Sequence, residues 1–300
     1  MIDPADPGFW PGLFQVLLVG TGQTLYMVGV ALLVTIVAAV TCALLSCWLV
    51  QIGWSLMGDA VSHAVLPGVA ISYILGWPFA VGAFIFGAGA VALIGGVRAT
   101  TKIKSDAAIG VVFTALFALG LVIISATPSQ TDLGHILFGS VLGVSDGDIW
   151  QVLTIGAVVM AVLLIKRRDF TLFAFDPGHA NAIGINTRWL STLLLGMLAL
   201  TVVVALQAVG IVLVVAMLIT PGATAFLLTK RFGTMLALAA LVTAVAAVAG
   251  IYASYYLDVS TGGAVVLAQA CAFALAYLFG PRGGVVTGYV RSRRAVAAAV

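Results

Sequence analysis

Gly58-Asp59-Ala60-Val61-Ser62-His63-Ala64-Val65-Leu66-Pro67-Gly68 sets an acid and an imidazole four residues apart in an otherwise apolar stretch. On a helix, such positions share a face, with Cβ atoms about 5–6 Å apart. Burying both groups inside a hydrophobic segment is costly unless they find partners. A carboxylate oxygen and a ring nitrogen can together supply two ligands to a divalent cation. Pro67 has no N–H, so a helix running through it leaves the His63 carbonyl without its usual donor, and that oxygen can also face a cation. Two simpler uses stand beside this one: Asp59 as a helix N-cap, and His63 as a hydrogen-bonding group between helices. The rest of the chain has to choose between them.

Outside this stretch the chain is overwhelmingly apolar. Hydrophobic residues make up 63% of it and charged residues 8%, with a mean hydropathy of +1.22. A soluble globular domain is about 25% charged. The composition is that of a polytopic membrane protein, so the net charge of +3 says nothing about nucleic acid. Residues 1–12 lack the basic start of a secretory signal, and no cleavable leader is expected. Cys42, Cys47 and Cys271 all lie in apolar runs, which suits free packing thiols rather than a disulfide frame or a zinc site.

A helical span needs about 20 apolar residues. Nine segments qualify: 20–48, 57–77, 79–97, 107–127, 149–166, 188–206, 208–229, 234–257 and 263–280. The expected fold is therefore an all-α bundle of about 8–9 transmembrane helices in one membrane domain covering 1–300. The first run has room for tilt or a lead-in from near Leu13. The seventh contains Pro221 and is expected to be broken or re-entrant. Alternating these spans puts every Lys and Arg on one side: Arg98, Lys102 and Lys104; Lys166, Arg167, Arg168 and Arg188; Lys230 and Arg231; and Arg282, Arg291, Arg293 and Arg294. By the positive-inside rule that side is cytoplasmic. It includes a basic tail, 282–300. The segment 1–12 then lies outside, with Asp132, Asp146, Asp148 and Asp258.

Several loops and spans carry further candidates. Residues 128–148 form the largest outer loop, where Asp132, His135, Asp146 and Asp148 make an acidic mouth able to attract a cation or a basic surface. Its apolar middle, Ile136 to Val144, suggests a segment dipping back into the protein. On the cytoplasmic side, Asp176-Pro177 reads as a helix start, with Asp at the N-cap and Pro at the first helical position. The short helix should pass Ala180 and end near Gly184, whose small residues offer a smooth face to another protein. His179 is expected to be solvated. Asp176-Pro177-Gly178 resembles an ion-binding motif of a secondary metal transporter family, but its place in a basic loop rules that use out.

Pro221 frees the carbonyl of Met217, and the Met217 sulfur is itself a soft candidate ligand, although core filling is the commoner use of such a residue. Asp106 opens the fourth span, where a helix N-terminus favours a carboxylate; it is a cap first and a candidate ligand second. No phosphate-binding G-x-x-x-x-G-K-[S/T] loop is present, and no Ser/His/Asp or Cys/His set has a plausible catalytic arrangement. The chain is expected to be a transport component, not an enzyme, and to hold no permanent cofactor.

Five motifs resemble those of one family: SLMGDAVSHAVLPGVA (55–70), IKSDAAIGVVFTALFALGL (103–121), DLGHILFGSVLGVS (132–145), FDPGHANAIGI (175–185) and VGIVLVVAMLITPGATA (209–225). From about Thr35 to Pro281 the chain resembles the permease subunits of ABC importers for manganese, zinc or iron. That resemblance implies a homodimer with the type II importer fold, related to the vitamin B12 and iron-siderophore importers. It implies two ATPase subunits docked from the cytoplasm and a metal-binding protein delivering the ion from outside. It places Asp59 and His63 on the cation path, and makes 176–187 the coupling helix, with Asp176, Pro177, Ala180 and Gly184 at the ATPase contact. His179 stands where family members often carry an acid. The stretch from Met57 to His63 is nearest the manganese and iron branch, so Mn²⁺ is the expected cargo, with Zn²⁺ or Fe²⁺ as alternatives. A rival of another class is a stand-alone cation channel or proton-coupled carrier with no ATPase. An importer of a chelated metal shares the architecture but would want a wide apolar path in place of an ion-ligand pair.

Overall fold

A computed structural model describes residues 9–126, 146–282 and 284–287, and it contains no strand among them. The helices in chain order are α1 (Phe9–Ile52), α2 (Ser55–Ala64), α3 (Leu66–Leu75), α4 (Phe79–Thr100), α5 (Ser105–Ala126) and α6 (Asp146–Ile165). They continue with α7 (Arg167–Phe175), α8 (Pro177–Ala182), α9 (Thr187–Val209), α10 (Ile211–Leu228), α11 (Phe232–Leu257) and α12 (Thr261–Phe279). Each of the nine expected spans coincides with helix in this order. The first lies inside the 44-residue α1, about 66 Å long at 1.5 Å per residue. It is far longer than a bilayer needs, in keeping with a lead-in. The outer-loop candidates Asp132 and His135 lie outside the described residues, as does the apolar middle, Ile136 to Val144.

Burial sorts the spans into an interior and a shell. Within Leu32–Ile52, Ser55–Leu75 and Thr187–Leu206 the apolar 18-residue stretch is 72%, 67% and 67% buried, against 17% within Asp106–Ala126. Helix α1 is the hub, packed against α10, α11, α6 and α9. Helices α2 and α3 lean on α5, and α3 lies along α4. Gly68 and Gly82 make the α3–α4 approach possible, since a Cβ on either would run into the backbone oxygen of the other. Close contact through small residues is how helices associate in lipid. Cys42 and Cys47 are buried free thiols, whereas Cys271 is exposed on α12.

The two proline-bearing spans behave differently. The second is interrupted only at Val65 (φ −75°, ψ −16°), with Pro67 in the first turn of α3, so α2 and α3 still cross as one unit. The seventh corrects the expectation of a broken helix: α10 runs through Pro221 without interruption. Ser46 of α1 braces the helix at this point. Its hydroxyl accepts from Gly222 N–H at 3.1 Å and can donate to the Ile219 carbonyl at 3.3 Å, occupying backbone groups beside the proline. Gly222 is required there, because any Cβ would strike Ser46.

Helix α7 was not expected. The loop from 166 to 176 folds as nine residues of amphipathic helix, bent 66° from α6. Three of its aromatic rings dock on three different partners. Phe170 meets Trp48 of α1 at 6.0 Å, Phe173 meets Trp54 at 6.2 Å, and Phe175 meets Phe232 of α11 at 6.1 Å. The Arg98 guanidinium lies 5.5 Å from the Trp54 ring, and Arg282 closes the end of α10 by donating to the carbonyls of Thr229 and Phe226. These contacts gather Arg98, Arg167, Arg168 and Arg282 at one end of the bundle, as the alternating topology requires.

Candidate metal site

Helix α2 carries Asp59 and His63 on its one open face. From Met57 to Ala70 every residue is buried except these two. Their side chains keep 34% and 26% of their exposure. Both lie in the part of the span nearest the basic end. At 1.5 Å per residue, Asp59 is about 6 Å and His63 about 12 Å along the axis from Ser55.

His63 Nε2 stands 3.4 Å from Asp59 Oδ1, as the i, i+4 spacing requires. Its Nδ1 is buried with no hydrogen-bond partner. The ring is held between two phenylalanines of α5, Phe113 and Phe117, each with its centroid 5.4 Å away. Neither polar group is absorbed by the protein in the simpler ways open to it. Trp54, not Asp59, takes the N-cap position of α2, and no hydrogen bond joins His63 to a neighbouring helix among the described residues. The pair is thus a carboxylate and an imidazole with coordination capacity to spare, set against a phenylalanine wall.

Two donors about 2.2 Å from a common ion, at an angle near 100°, lie about 3.4 Å apart, so the pair is spaced to share one divalent cation. It cannot complete a shell alone. Among the described residues no group of three His, Cys, Asp or Glu side chains comes together. A first-row ion takes four to six ligands, so an ion held by this pair would need the remainder from water or a second chain.

The other candidates sit in different surroundings. Met217 is fully buried in the main apolar cluster. Asp106 is exposed in the first turn of α5, two turns from Phe113 and so about 10 Å along the helix from the His63 contact. The phenylalanines were missed as site residues. Their signal was available: Phe113 and Phe117 are themselves four apart, and so share one face of α5.

At the basic end, Asp176 takes the N-cap of α8 and its Oδ1 accepts from His179 N–H at 2.9 Å, with Pro177 at the first helical position. Gly184 adopts φ +88° just beyond the helix, a left-handed geometry that suits glycine. Asp176, Pro177, His179 and Gly184 are exposed, but Ala180 is wholly buried. That corrects the expectation of an outward-facing Ala180–Gly184 surface. Ala180 anchors α8 to its own chain, and the surface available to a partner is the opposite one.

The model of the ABC 3 transport family matches residues 24–280. The manganese transport system membrane protein MntB of Synechocystis sp. is 49% identical over 263 residues, covering 88% of this chain and 86% of that protein. The chelated iron transport system membrane protein YfeD of Yersinia pestis is 45% identical over 249 residues, covering 83% and 84%. Among solved structures, PsaBC from Streptococcus pneumoniae in complex with Fab contains a chain 37% identical to this one. It superposes with a TM-score of 0.81 over 92% of this chain and 98% of that one. A second structure, an ABC transporter in an inward-facing conformation, is 16% identical with a TM-score of 0.62 and speaks to the fold alone.

Proposed function

The chain belongs to the ABC 3 transport family, and from that premise we propose that it is the membrane-spanning subunit of an ATP-driven importer of divalent metal ions, with Mn²⁺ as first cargo and Fe²⁺ as second. Manganese and iron are the metals in the names of its relatives, and zinc ranks behind them. The observation that carries the site assignment is the isolation of Asp59 and His63 as the only unburied residues between Met57 and Ala70. A two-ligand face that is half open is what a path shared between two copies of the chain would use.

In this reading two protomers bring their α2 helices together and four side chains meet the ion. Asp59 contributes charge, and His63 contributes a nitrogen whose ring is kept from swinging by Phe113 and Phe117. The site is transient by construction: an ion held by too many rigid ligands would not leave. The basic end faces the cytoplasm, where ATPase subunits dock on the exposed side of α8 and carry the hydrolysis. The present chain contributes no catalytic group. An extracytoplasmic binding protein delivers the ion to the opposite mouth.

The test is uptake of radiolabelled Mn²⁺ by cells expressing the chain with its ATPase and binding protein, Fe²⁺ and Zn²⁺ being added as competitors. ATPase-dependent uptake that is lost in His63→Ala supports the assignment. Uptake that persists without the ATPase would replace it with a carrier or channel.

A further inference from the structure

The docking helix and the metal pair lie on different elements, and one residue joins them: its ring meets α7 and its backbone begins α2. Trp54 sits in the two-residue junction between α1 and α2. Its N–H donates to the Leu49 carbonyl at 2.7 Å and its own carbonyl accepts from Met57 N–H at 2.9 Å, so its backbone ends one helix and begins the next. Its side chain is buried, with the Phe173 ring edge-on at 6.2 Å and the Arg98 guanidinium 5.5 Å from its centroid. Asp59 follows five residues later on the same helix, about 7.5 Å along the axis.

Phe173 belongs to α7, and α7 is continuous with the docking helix. Asp176 closes α7, its N–H donating to the Leu172 carbonyl at 2.9 Å, and the same residue caps α8. The buried Ala180 holds α8 inward, and its carbonyl accepts from Ile185 N–H at 3.0 Å. Asp176 is the single residue between α7 and α8, so the two form one unit. Along α7, Phe170 meets Trp48 of α1 and Phe175 meets Phe232 of α11, and between them Phe173 meets Trp54.

We propose that Trp54 is the positioning residue that carries movement of the α7–α8 unit into α2, and so sets the orientation of Asp59 and His63 in step with the ATPase cycle. This rests on the importer reading above and names the path by which its two sites communicate. Trp54 touches neither ion nor nucleotide. Its role is mechanical: a large rigid ring wedged between α7 and α4 at the first turn of the metal-bearing helix. Close-packed contacts of this kind shift between discrete arrangements and do not deform smoothly.

The complex of this chain with its ATPase and binding protein, reconstituted in liposomes, reads the proposal as ATP hydrolysed per Mn²⁺ transported. Trp54→Ala should retain ATP hydrolysis while uptake falls, raising that ratio about tenfold, within the usual range of coupling between sites. Trp54→Phe should restore most of the coupling. Phe173→Ala should match Trp54→Ala, and the double variant should be no worse than either alone, because both remove one contact. If Trp54→Ala does not assemble, Phe173→Leu on the surface helix reads the same ratio. A wild-type ratio in an assembled Trp54→Ala or Phe173→Leu variant, or hydrolysis and uptake falling in proportion, overturns the relay. Absence of ATP-dependent uptake by the wild-type complex would instead overturn the importer reading on which it rests.

Discussion

Two spans of this bundle present the same local chemistry, and only one is open. The second span carries Pro67 and the seventh carries Pro221, each depriving a carbonyl four residues back of its donor. In α10 the region around the proline is covered by protein. Ser46 reaches in from α1, Gly222 lets the two backbones close up, and Met217 is fully buried. In α2–α3 the backbone is scarcely broken, yet Asp59 and His63 stand half exposed on a face that is otherwise covered. A proline in an apolar helix thus does not make a site. A site needs polar side chains that the fold leaves unpaired and reachable.

The largest effect should come from the open span. Asp59→Ala or His63→Ala removes one of two ligands per chain and should lower Mn²⁺ uptake by about 100-fold or more, beyond the 10–100-fold seen when only a ligand's supporting partner is removed. Both side chains are partly exposed, so the amount of assembled protein, measured by size-exclusion chromatography after extraction, should stay near wild type. Normal uptake in either variant would erase the distinction between the two spans.

That distinction was half legible in the amino-acid sequence. Nine apolar runs coincide with helix, and seven or eight of the described helices are long and apolar enough to cross a membrane, because hydrophobic length is a local property. Asp59 and His63 share a face by spacing alone, and Asp176-Pro177 announces a helix start through cap chemistry. The brace beside Pro221 was not legible, since Ser46 lies 176 residues away in sequence from Gly222. Helix α7 was hidden for a related reason. Its segment RRDFTLFAF is held as a helix by rings that meet Trp48, Trp54 and Phe232, all distant in the chain. The inward turn of Ala180 escaped as well, because a six-residue helix is too short for periodicity to say which side is covered.

The next effect tests the brace itself. Gly222→Val would drive a branched side chain into Ser46 and should destabilise the fold by about 1–3 kcal/mol or more, the usual range for overpacking a tight core. Ser46→Ala should cost about 0.5–1.5 kcal/mol by removing the hydroxyl that bonds Gly222 N–H and the Ile219 carbonyl. Thermal unfolding in detergent measures both. Uptake per folded molecule should stay within about twofold of wild type for Ser46→Ala, since no ion contact is touched. A Ser46→Ala protein of unchanged stability would mean that α10 tolerates its proline without help from α1.

The smallest effect is the most discriminating. Met217→Leu nearly conserves volume in a fully buried position and should cost under about 1.5 kcal/mol. It removes the only soft sulfur that the sequence offered beside the freed carbonyl of α10. If Met217 is core, the variant should take up Mn²⁺ at the wild-type rate, and the competition by Fe²⁺ and Zn²⁺ should not change. If the sulfur instead met the ion at some stage of transport, its loss should weigh most on the softer, more thiophilic ions, so the competition profile would shift even where Mn²⁺ uptake held. Reading selectivity alongside rate therefore separates a packing role from a ligand role at the same residue. An unchanged profile would leave Asp59 and His63 as the ion-facing side chains of these two spans.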